Sequence, residues 1–344
     1  EEVLKEVQSE ILEFNESGMS VMEMSHRSDI YSKVAFDAKK DLINLLRVPN
    51  EYDVLFLQGG ATHQFSMIPM NYKHMSDTAD YVTTGSWSAK AFDEASKIFN
   101  PNEIFRSDEN VYTKAPNIEE LELSKNATYL HYCPNETIQG VAIHEIPKVD
   151  IPLIADMSSV ILSQPLDVNK FSIIYAGAQK NIGPAGLTIV IINKEFMHMG
   201  NENLPNILKY SEHSKSNSML NTPPTFSWYL AGKVFKWMIK LGGLDYFEEQ
   251  NKLKASLLYD FIDNSDFYIN PVDTSCRSIM NVPFVLENSM LEEKFISEAS
   301  DNGFLNLKGH RLVGGMRASI YNAMPLEGVK ELIKFMDYFK SENG

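Results

Sequence analysis

An apolar run that ends in a lysine occupies residues 171–180 and reads Phe171-Ser-Ile-Ile-Tyr-Ala-Gly-Ala-Gln-Lys180. Its first half has the composition of a buried strand, and it breaks into small residues just before the lysine. A second apolar stretch upstream, Ile151-Pro-Leu-Ile-Ala-Asp156, ends in a carboxylate. If the two stretches are neighbouring buried strands, Lys180 and Asp156 lie close together at one edge of a sheet.

A lysine and an aspartate placed in this way suit one cofactor, pyridoxal phosphate. The lysine amine can form a Schiff base with the cofactor aldehyde, and the carboxylate can keep the pyridine nitrogen protonated so that the ring withdraws electrons. Neither residue is sufficient alone, because a lysine after a strand is commonly solvated and an aspartate there is often a helix N-cap. The prediction therefore depends on the other segments at the same edge.

Length and composition limit the possible classes of protein. The chain has 344 residues, enough for one large or two ordinary domains, and a formal net charge of −15 that argues against nucleic acid or an anionic membrane as a partner. The longest apolar runs, such as residues 187–192, are strand-sized, so no membrane span is expected. Only two cysteines occur, Cys133 and Cys276, which favours a reducing, cytoplasmic location. No metal site is predicted.

Strands and helices alternate along most of the chain, which predicts an α/β fold with a mostly parallel, seven-stranded sheet covered by helices. The predicted strands of this sheet include residues 53–57, 79–83, 127–132, 152–155, 172–175 and 187–192. Residues 197–218 are polar and read as a long functional loop, and helices follow at residues 225–240 and 244–264.

The remaining C-terminal pattern is strand, strand, helix, strand, strand, helix. It includes strands at residues 278–286 and 316–321 and helices at residues 291–302 and 325–338. We therefore expect a large cofactor-binding domain over residues 1–243 and a small α+β domain over residues 244–344. Residues 1–14 already have helical spacing and lack an initial methionine, so we expect a segment that precedes residue 1.

Three further segments follow predicted strands and so point to the same edge of the sheet. Gln58-Gly-Gly-Ala-Thr-His63 opens a helix, where free N–H groups and the helix dipole can hold an anion. Trp87 could stack on a planar ring, and Thr137 could bond a ring hydroxyl. The alternatives are a plain turn, a core tryptophan and a turn threonine, but their convergence on one edge favours a binding site.

Polar and basic residues in three loops are further candidates for the predicted binding site. The segment Asn217-Ser-Met-Leu-Asn-Thr-Pro-Pro-Thr225 is a proline-stiffened candidate for anion binding. Two His–Arg pairs, His26-Arg27 and His310-Arg311, lie in loops of an acidic protein. Such pairs are typical of pockets for carboxylate or phosphate, although solvated surface positions are the alternative for either pair alone.

Together these segments resemble the phosphoserine aminotransferases, a family of fold-type-I pyridoxal phosphate enzymes, over nearly the whole chain. The most specific strings are Tyr175-Ala-Gly-Ala-Gln-Lys-Asn-Ile-Gly-Pro-Ala-Gly186, Asn221-Thr-Pro-Pro-Thr-Phe226 and Gly309-His-Arg-Leu-Val-Gly-Gly-Met-Arg-Ala-Ser-Ile-Tyr-Asn322. The chain lacks the short Asn-Phe-x-x-Gly-Pro segment with which members usually begin. It also has Thr62 where some members have an arginine, so backbone N–H groups must carry more of the phosphate.

The resemblance implies roles for individual residues. Lys180 would bind the cofactor aldehyde and move the proton, and Asp156 would pair with the ring nitrogen. The other implied cofactor contacts are Trp87, Thr137, Ala61, Thr62 and Gln179, with Asn221 and Thr222 reaching the cofactor phosphate from the neighbouring subunit of a homodimer with shared sites. The implied substrate contacts are Arg317 for the α-carboxylate and His26, Arg27, His310 and Arg311 for the distal anion.

The implied reaction transfers the amino group of L-glutamate to 3-phosphohydroxypyruvate, which gives 2-oxoglutarate and O-phospho-L-serine, and it also runs in reverse. It is a step of serine biosynthesis. Both substrates are small anionic amino and oxo acids. Acceptance of 4-phosphohydroxythreonine, an intermediate of pyridoxine biosynthesis, stays open. The rival interpretations are another fold-type-I enzyme, such as a serine–pyruvate transaminase or a cysteine desulfurase, and an inactive binding protein of this fold.

Overall fold

The computed structural model describes residues 1–108, 111–311 and 313–344. Within this part of the chain the helices are α1 (Glu2–Glu10), α2 (Asp29–Leu46), α3 (Gly60–Tyr72), α4 (Ser86–Ser96), α5 (Lys194–His198), α6 (Tyr210–Lys215), α7 (Thr225–Lys240), α8 (Gly243–Asp263), α9 (Glu292–Asp301) and α10 (Leu326–Asn343). The strands are β1 (Tyr52–Leu57), β2 (Asp80–Thr83), β3 (Asn102–Arg106), β4 (Leu130–Tyr132), β5 (Leu153–Asp156), β6 (Ile173–Gly177), β7 (Thr188–Asn193), β8 (Tyr268–Ile269), β9 (Asn281–Leu286) and β10 (Met316–Ser319).

The large sheet has seven strands in the order β1-β7-β6-β5-β4-β2-β3. Strand β7 is antiparallel to both of its neighbours, and the other pairs are parallel. Six strands therefore point the same way, and their carboxyl ends meet at one edge, where ligands bind in such sheets. The predicted mostly parallel, seven-stranded α/β fold is confirmed.

Helices cover both faces of this sheet, which is why its central strands are apolar on both sides. Helices α2 and α7 pack on one face, where Phe56 stacks on Trp228 with ring centroids 4.3 Å apart. Helices α3 and α4 pack on the other face, around residues such as Ile68 and Tyr175. The sheet is thus held rigidly, and its carboxyl edge presents side chains at fixed positions.

A second, antiparallel sheet of three strands in the order β10-β9-β8 carries its own core with helices α8, α9 and α10. Helix α8 joins the two parts of the chain. Its residue Phe247 packs into the core of the large sheet, whereas Leu258 and Ile262 pack under the small one. We propose that the domain boundary lies between residues 243 and 244, at the start of this shared helix.

Three expectations about local structure are wrong. Residues 197–218 are not a long loop, because they contain α6, which buries Tyr210 and His213; the Tyr210 hydroxyl donates to Gln64 Oε1 at 2.6 Å. Strand β3 was not among the predicted strands, because its residues are half exposed at the sheet edge and carry no apolar run. The described residues between α9 and β10 form only an isolated bridge, Lys308 to Met316, where a full strand was predicted.

Two simpler expectations concern membrane spans and cysteines. Among the described residues, no helix combines the length and the apolar character that a bilayer crossing requires. Cys133 and Cys276 are both buried and unbridged.

Candidate active site

Lys180 and Asp156 lie at the carboxyl ends of adjacent strands. Strand β5 ends at Asp156, which pairs in register with Tyr175 of the parallel strand β6, and Lys180 follows β6 by three residues. Asp156 is buried, and its Oδ1 atom accepts bonds from the backbone N–H and the hydroxyl of Ser158 at 2.9 and 2.6 Å. The predicted neighbourhood of the two residues is confirmed.

One cavity of about 130 Å³ collects most of the predicted cofactor residues. Its lining consists of Gly60, Ala61, Thr62, Trp87, Cys133, Asn135, Thr137, Asp156, Ser158, Ser159, Gln179 and Lys180. Four separate strand ends, those of β2, β4, β5 and β6, and the start of α3 contribute to it. The convergence inferred from the sequence therefore exists in the structure.

The amine of Lys180 is held by Thr137 and has an altered acidity. Its Nζ atom donates to Thr137 Oγ1 at 2.6 Å. Burial lowers the pKa of Lys180, and the positive charge of Arg317 lowers it further, whereas the negative charge of Asp156 opposes the shift. A lysine with a lowered pKa has more of the neutral amine, which is the form that attacks a carbonyl and accepts a proton.

The buried carboxylate of Asp156 would be stabilised by a positively charged partner. Burial raises the pKa of its carboxyl group, while the bonds from Ser158 and the charge of Lys180 oppose the shift. A buried carboxylate is tolerated when it is paired. A protonated ring nitrogen beside Asp156 would meet this need.

The start of α3 can bind an anion. Gly59 and Gly60 both have positive φ values, +91° and +66°, and a Cβ atom on Gly59 would lie 2.6 Å from His63 Cβ. No side chain caps this helix, so the N–H groups of its first turn are available to a phosphate. Gly177 lies beside both Ala61 and Gln179. A Cβ atom at Gly177 would lie 3.6 Å from the Ala61 backbone nitrogen and 2.9 Å from Gln179 Oε1.

Trp87 is fixed by a residue that the sequence reasoning did not assign. Glu136 is fully buried, and it accepts the backbone N–H groups of Trp87 and Ser88 at 3.0 and 2.8 Å and the Ser88 hydroxyl at 2.5 Å. A carboxylate at the start of α4 is favoured by the helix dipole. Gly85 is required for this contact, because a Cβ atom there would lie 2.5 Å from the Glu136 side chain.

These groups fit pyridoxal phosphate. The cavity offers an amine for the aldehyde, a carboxylate for the ring nitrogen, an aromatic ring for stacking and a helix N-terminus for the phosphate. The Trp87 indole Nε1 atom is buried and has no partner among the described residues, so it is a further donor at this site.

The small sheet brings Arg317 and Tyr321 to the same place. Arg317 lies on β10 with a buried Nε atom that has no partner in the described part of the chain, and it is close enough to Lys180 to affect the pKa of the amine. The Tyr321 hydroxyl accepts from Asn281 Nδ2 at 3.0 Å. Burial raises the pKa of Tyr321, and the nearby side chains of Asn281 and Thr137 oppose this shift. Asn281 in turn accepts from Asn135 Nδ2 at 3.0 Å. The sequence reasoning predicted Arg317 but missed Tyr321.

The two basic pairs do not line this cavity. His26 and Arg27 precede α2, whose N-cap is Ser28, and His310 and Arg311 lie in the turn before β10. Both arginines are exposed, and both histidines are half-buried. Their predicted contact with a distal phosphate stays a prediction.

Asn221 and Thr222 also lie outside the cavity of their own chain. Asn221 lines a neighbouring groove of about 590 Å³, together with Gln58, Thr62 and His63. The Thr222 carbonyl accepts from Gln58 Nε2 at 3.3 Å, and both side chains are exposed. Their predicted role in a neighbouring subunit remains to be tested.

Comparison with known proteins places this site in a family. Residues 1–332 match the Aminotransferase class-V family. The phosphoserine aminotransferase of Hahella chejuensis (strain KCTC 2396) is 52% identical over 343 residues, which cover 99% of this chain and 95% of the relative.

Two solved structures agree with this assignment. Phosphoserine aminotransferase from Bacillus circulans subsp. alkalophilus has a TM-score of 0.97 and 46% identity, covering 100% of this chain and 96% of its own. The PLP-bound phosphoserine aminotransferase of Trichomonas vaginalis has a TM-score of 0.94 and 38% identity, covering 98% of this chain and 96% of its own. The resemblance seen in the sequence motifs is confirmed: the chain belongs to the class-V aminotransferases and, within them, to the phosphoserine aminotransferase family.

Proposed function

We propose that this protein is a pyridoxal phosphate-dependent transaminase that interconverts O-phospho-L-serine and 2-oxoglutarate with 3-phosphohydroxypyruvate and L-glutamate. The observation that carries the proposal is the cavity shared by Lys180, Asp156, Thr137 and Trp87. This cavity belongs to a chain that is 52% identical to a phosphoserine aminotransferase over nearly its full length. The reaction is a step of serine biosynthesis.

Each residue of the cavity has its own role in transamination. Bound pyridoxal phosphate supplies a ring that accepts the electron pair released at the substrate α-carbon. Asp156 would keep the ring nitrogen protonated, and Trp87 would stack on the ring. Lys180 would hold the cofactor and move the proton at the substrate α-carbon, for which its lowered pKa suits it.

Substrate recognition requires two cationic positions. Each substrate has an α-carboxylate and a second anion, so the same two positions can serve both substrates in turn. We assign the α-carboxylate to Arg317, and its effect on the pKa of Lys180 supports this assignment. We assign the distal anion to His26, Arg27, His310 and Arg311, the basic residues of the two exposed loops.

The positions of these four residues are best explained by a homodimer with shared active sites. The loop 217–225 and the basic pairs lie outside the cavity of their own chain. In a homodimer they would contact the cavity of the second copy. Mixed dimers of Lys180→Ala and Asn221→Ala/Thr222→Ala subunits should regain activity, because one of the two sites is then intact. Demonstrated mixed dimers without activity would mean that each subunit holds a self-contained site.

We also retain the proposal of a cytoplasmic location. Cys133 and Cys276 are buried thiols and lie in separate parts of the molecule, next to Asp156 and Thr113, which agrees with a reducing compartment. Cell fractionation with antibody detection tests this directly; recovery in a membrane or secreted fraction would contradict it.

A transamination assay with phosphoserine against serine tests the main proposal. With 2-oxoglutarate as acceptor, we expect glutamate formation with a kcat/KM for phosphoserine at least about a hundredfold above that for serine, because two or three charge-assisted bonds at about 1.5–3 kcal/mol each are lost without the phosphate. Equal use of serine with pyruvate would instead support a serine–pyruvate transaminase. No turnover with any amino acid would support an inactive binding protein.

A further inference from the structure

The phosphate end of the cavity is short of positive charge. A phosphate monoester has a charge of about −1.5 to −2 near pH 7. The residues assigned to the cofactor phosphate are nevertheless all neutral: Ala61, Thr62 and Gln179, with Asn221 and Thr222 from a neighbouring subunit. Of the described residues that line the cavity, Lys180 is the only cation, and its amine is held by Thr137. In a protein of net charge −15, a dianion without a cationic partner would be poorly held.

Lys90 is placed to supply that charge. It lies on α4 three residues after Trp87, so both side chains occupy one face of the helix. Its Nζ atom lies 5.7 Å from the centroid of the Trp87 ring and 3.4 Å from Thr62 Oγ1. The ammonium group therefore stands between the first turn of α3 and the tryptophan that flanks the cavity.

The amine of Lys90 also has no acidic partner in the part of the chain that the structure describes. Within the described residues no carboxylate lies within 4.0 Å of its amine. By contrast, Lys97 at the end of the same helix pairs with Glu94 at 2.8 Å. The α4 carboxylates are thus not the partners of Lys90, and its charge faces Thr62 instead.

We propose that Lys90 is a phosphate-binding residue of this active site. It would contact a phosphate monoester held against Thr62 and the first turn of α3. This inference rests on the proposed function for the identity of the phosphate compounds. The dianion belongs either to the cofactor or to the phosphorylated substrate, which share this chemistry.

The expected effect is moderate because Lys90 is exposed to solvent. A charge-assisted hydrogen bond is worth about 1.5–3 kcal/mol when desolvated, but solvent and salt screen an exposed charge. Loss of Lys90 should therefore weaken phosphate binding about three- to tenfold at low ionic strength. The effect should shrink as salt is added.

The test compares Lys90→Gln with Lys97→Gln as a matched control on the same helix. Dissociation constants of pyridoxal phosphate and of pyridoxal, which lacks the phosphate, are measured on the cofactor-free protein by quenching of tryptophan fluorescence. If Lys90 binds the cofactor phosphate, Lys90→Gln weakens pyridoxal phosphate three- to tenfold and leaves pyridoxal unchanged. Lys90→Arg should keep wild-type affinity, and Lys97→Gln should change neither ligand.

A second arm distinguishes the substrate as the source. If the dissociation constant of pyridoxal phosphate is unchanged, Lys90→Gln should instead lower kcat/KM for phosphoserine three- to tenfold and leave that for serine unchanged. Unchanged values in both arms, or equal losses on phosphorylated and unphosphorylated ligands, overturn the inference. The binding arm uses no amino acid, so it can support Lys90 even if the protein fails to transaminate phosphoserine.

Discussion

The amine of Lys180 donates a 2.6 Å hydrogen bond to the hydroxyl of Thr137. Lys180 follows β6 and Thr137 follows β4, and only β5 lies between these two strands in the sheet. Burial raises the pKa of Tyr321, which follows β10 of the small sheet, and the nearby Thr137 opposes this shift. Thr137 is therefore the point where the reactive lysine, the large sheet and the small sheet meet.

This contact predicts the behaviour of Thr137→Val, which keeps the shape of the side chain and removes the hydroxyl. Net loss of one buried hydrogen bond is worth about 1 kcal/mol, so kcat should fall about five- to tenfold with intact folding. Thr137→Ser retains the hydroxyl and should keep most of the activity. Steady-state kinetics decide the matter, and a Thr137→Val enzyme with wild-type kcat would remove Thr137 from the mechanism.

Asp156→Asn should lose most activity and retain the cofactor poorly. A neutral amide cannot stabilise a protonated ring nitrogen, and each unit by which the pKa of that nitrogen falls corresponds to about 1.4 kcal/mol. Turnover and the dissociation constant of pyridoxal phosphate are the measurements. Ser158→Ala keeps the carboxylate and removes one of its donors, so it should have a smaller effect. Near-normal turnover in Asp156→Asn would show that another group pairs with the ring.

Substitution of Arg27 or Arg311 should affect different substrates from substitution of Arg317. Arg27→Ala and Arg311→Ala should each lower kcat/KM for phosphoserine about 10- to 100-fold, because each removes a charge-assisted bond to the distal dianion. Their effect on alanine or serine should be small. Arg317→Ala should damage every amino acid substrate, since all share the α-carboxylate. If the Arg27 and Arg311 variants lose activity equally on serine and phosphoserine, these loops do not bind the phosphate.

Lys254→Met tests how the small sheet is attached to the site. Lys254 is 1% exposed, and its amine donates to the carbonyl groups of Ile320, Tyr321 and Met324 at 2.9, 2.9 and 3.0 Å. The variant leaves three carbonyl groups without this donor, so the free energy of unfolding should fall by about 2–3 kcal/mol. Denaturant unfolding measures it. Lys252→Met, an exposed position on the same helix, is the control and should be near neutral.

The pH dependence of this effect has a definite sign. Burial lowers the pKa of Lys254 to about 8 in the folded state, against about 10.4 in an unfolded chain. Between these values the unfolded state binds more protons, so the wild type gains stability with rising pH by at most about 1.4 kcal/mol per unit. Lys254→Met lacks this gain, and its deficit should widen from pH 8 to pH 10. A constant deficit over that range would mean that burial does not lower the pKa of Lys254.

The core of the site was predictable because it depends on local patterns. Buried parallel strands are continuous apolar runs, and Lys180 and Asp156 each stand at the end of such a run. The glycines at the start of α3 and Trp87 in the first turn of α4 likewise follow directly from a strand end. In all these cases the position of the residue in its own segment determines where its side chain goes.

The missed features depend on contacts between distant segments. Glu136 was visible in the sequence, but its role arises only from its bonds to Trp87 and Ser88, about 48 residues away along the chain. Tyr321 comes near Thr137 only because the small sheet packs on the large one. Helix α6 is too short for helical periodicity to be recognised, and β3 is a half-exposed edge strand. No local pattern carries such information.

The most direct test of the account is to locate the covalent attachment of the cofactor. Purified protein loaded with pyridoxal phosphate is reduced with borohydride, digested and analysed by mass spectrometry. The account predicts that the pyridoxyl group is found on the peptide containing Lys180, and that Lys180→Ala, although folded and able to bind the cofactor, gains no stable label and has no transaminase activity. A label on another lysine of the wild type, or turnover of phosphoserine by Lys180→Ala, would contradict it.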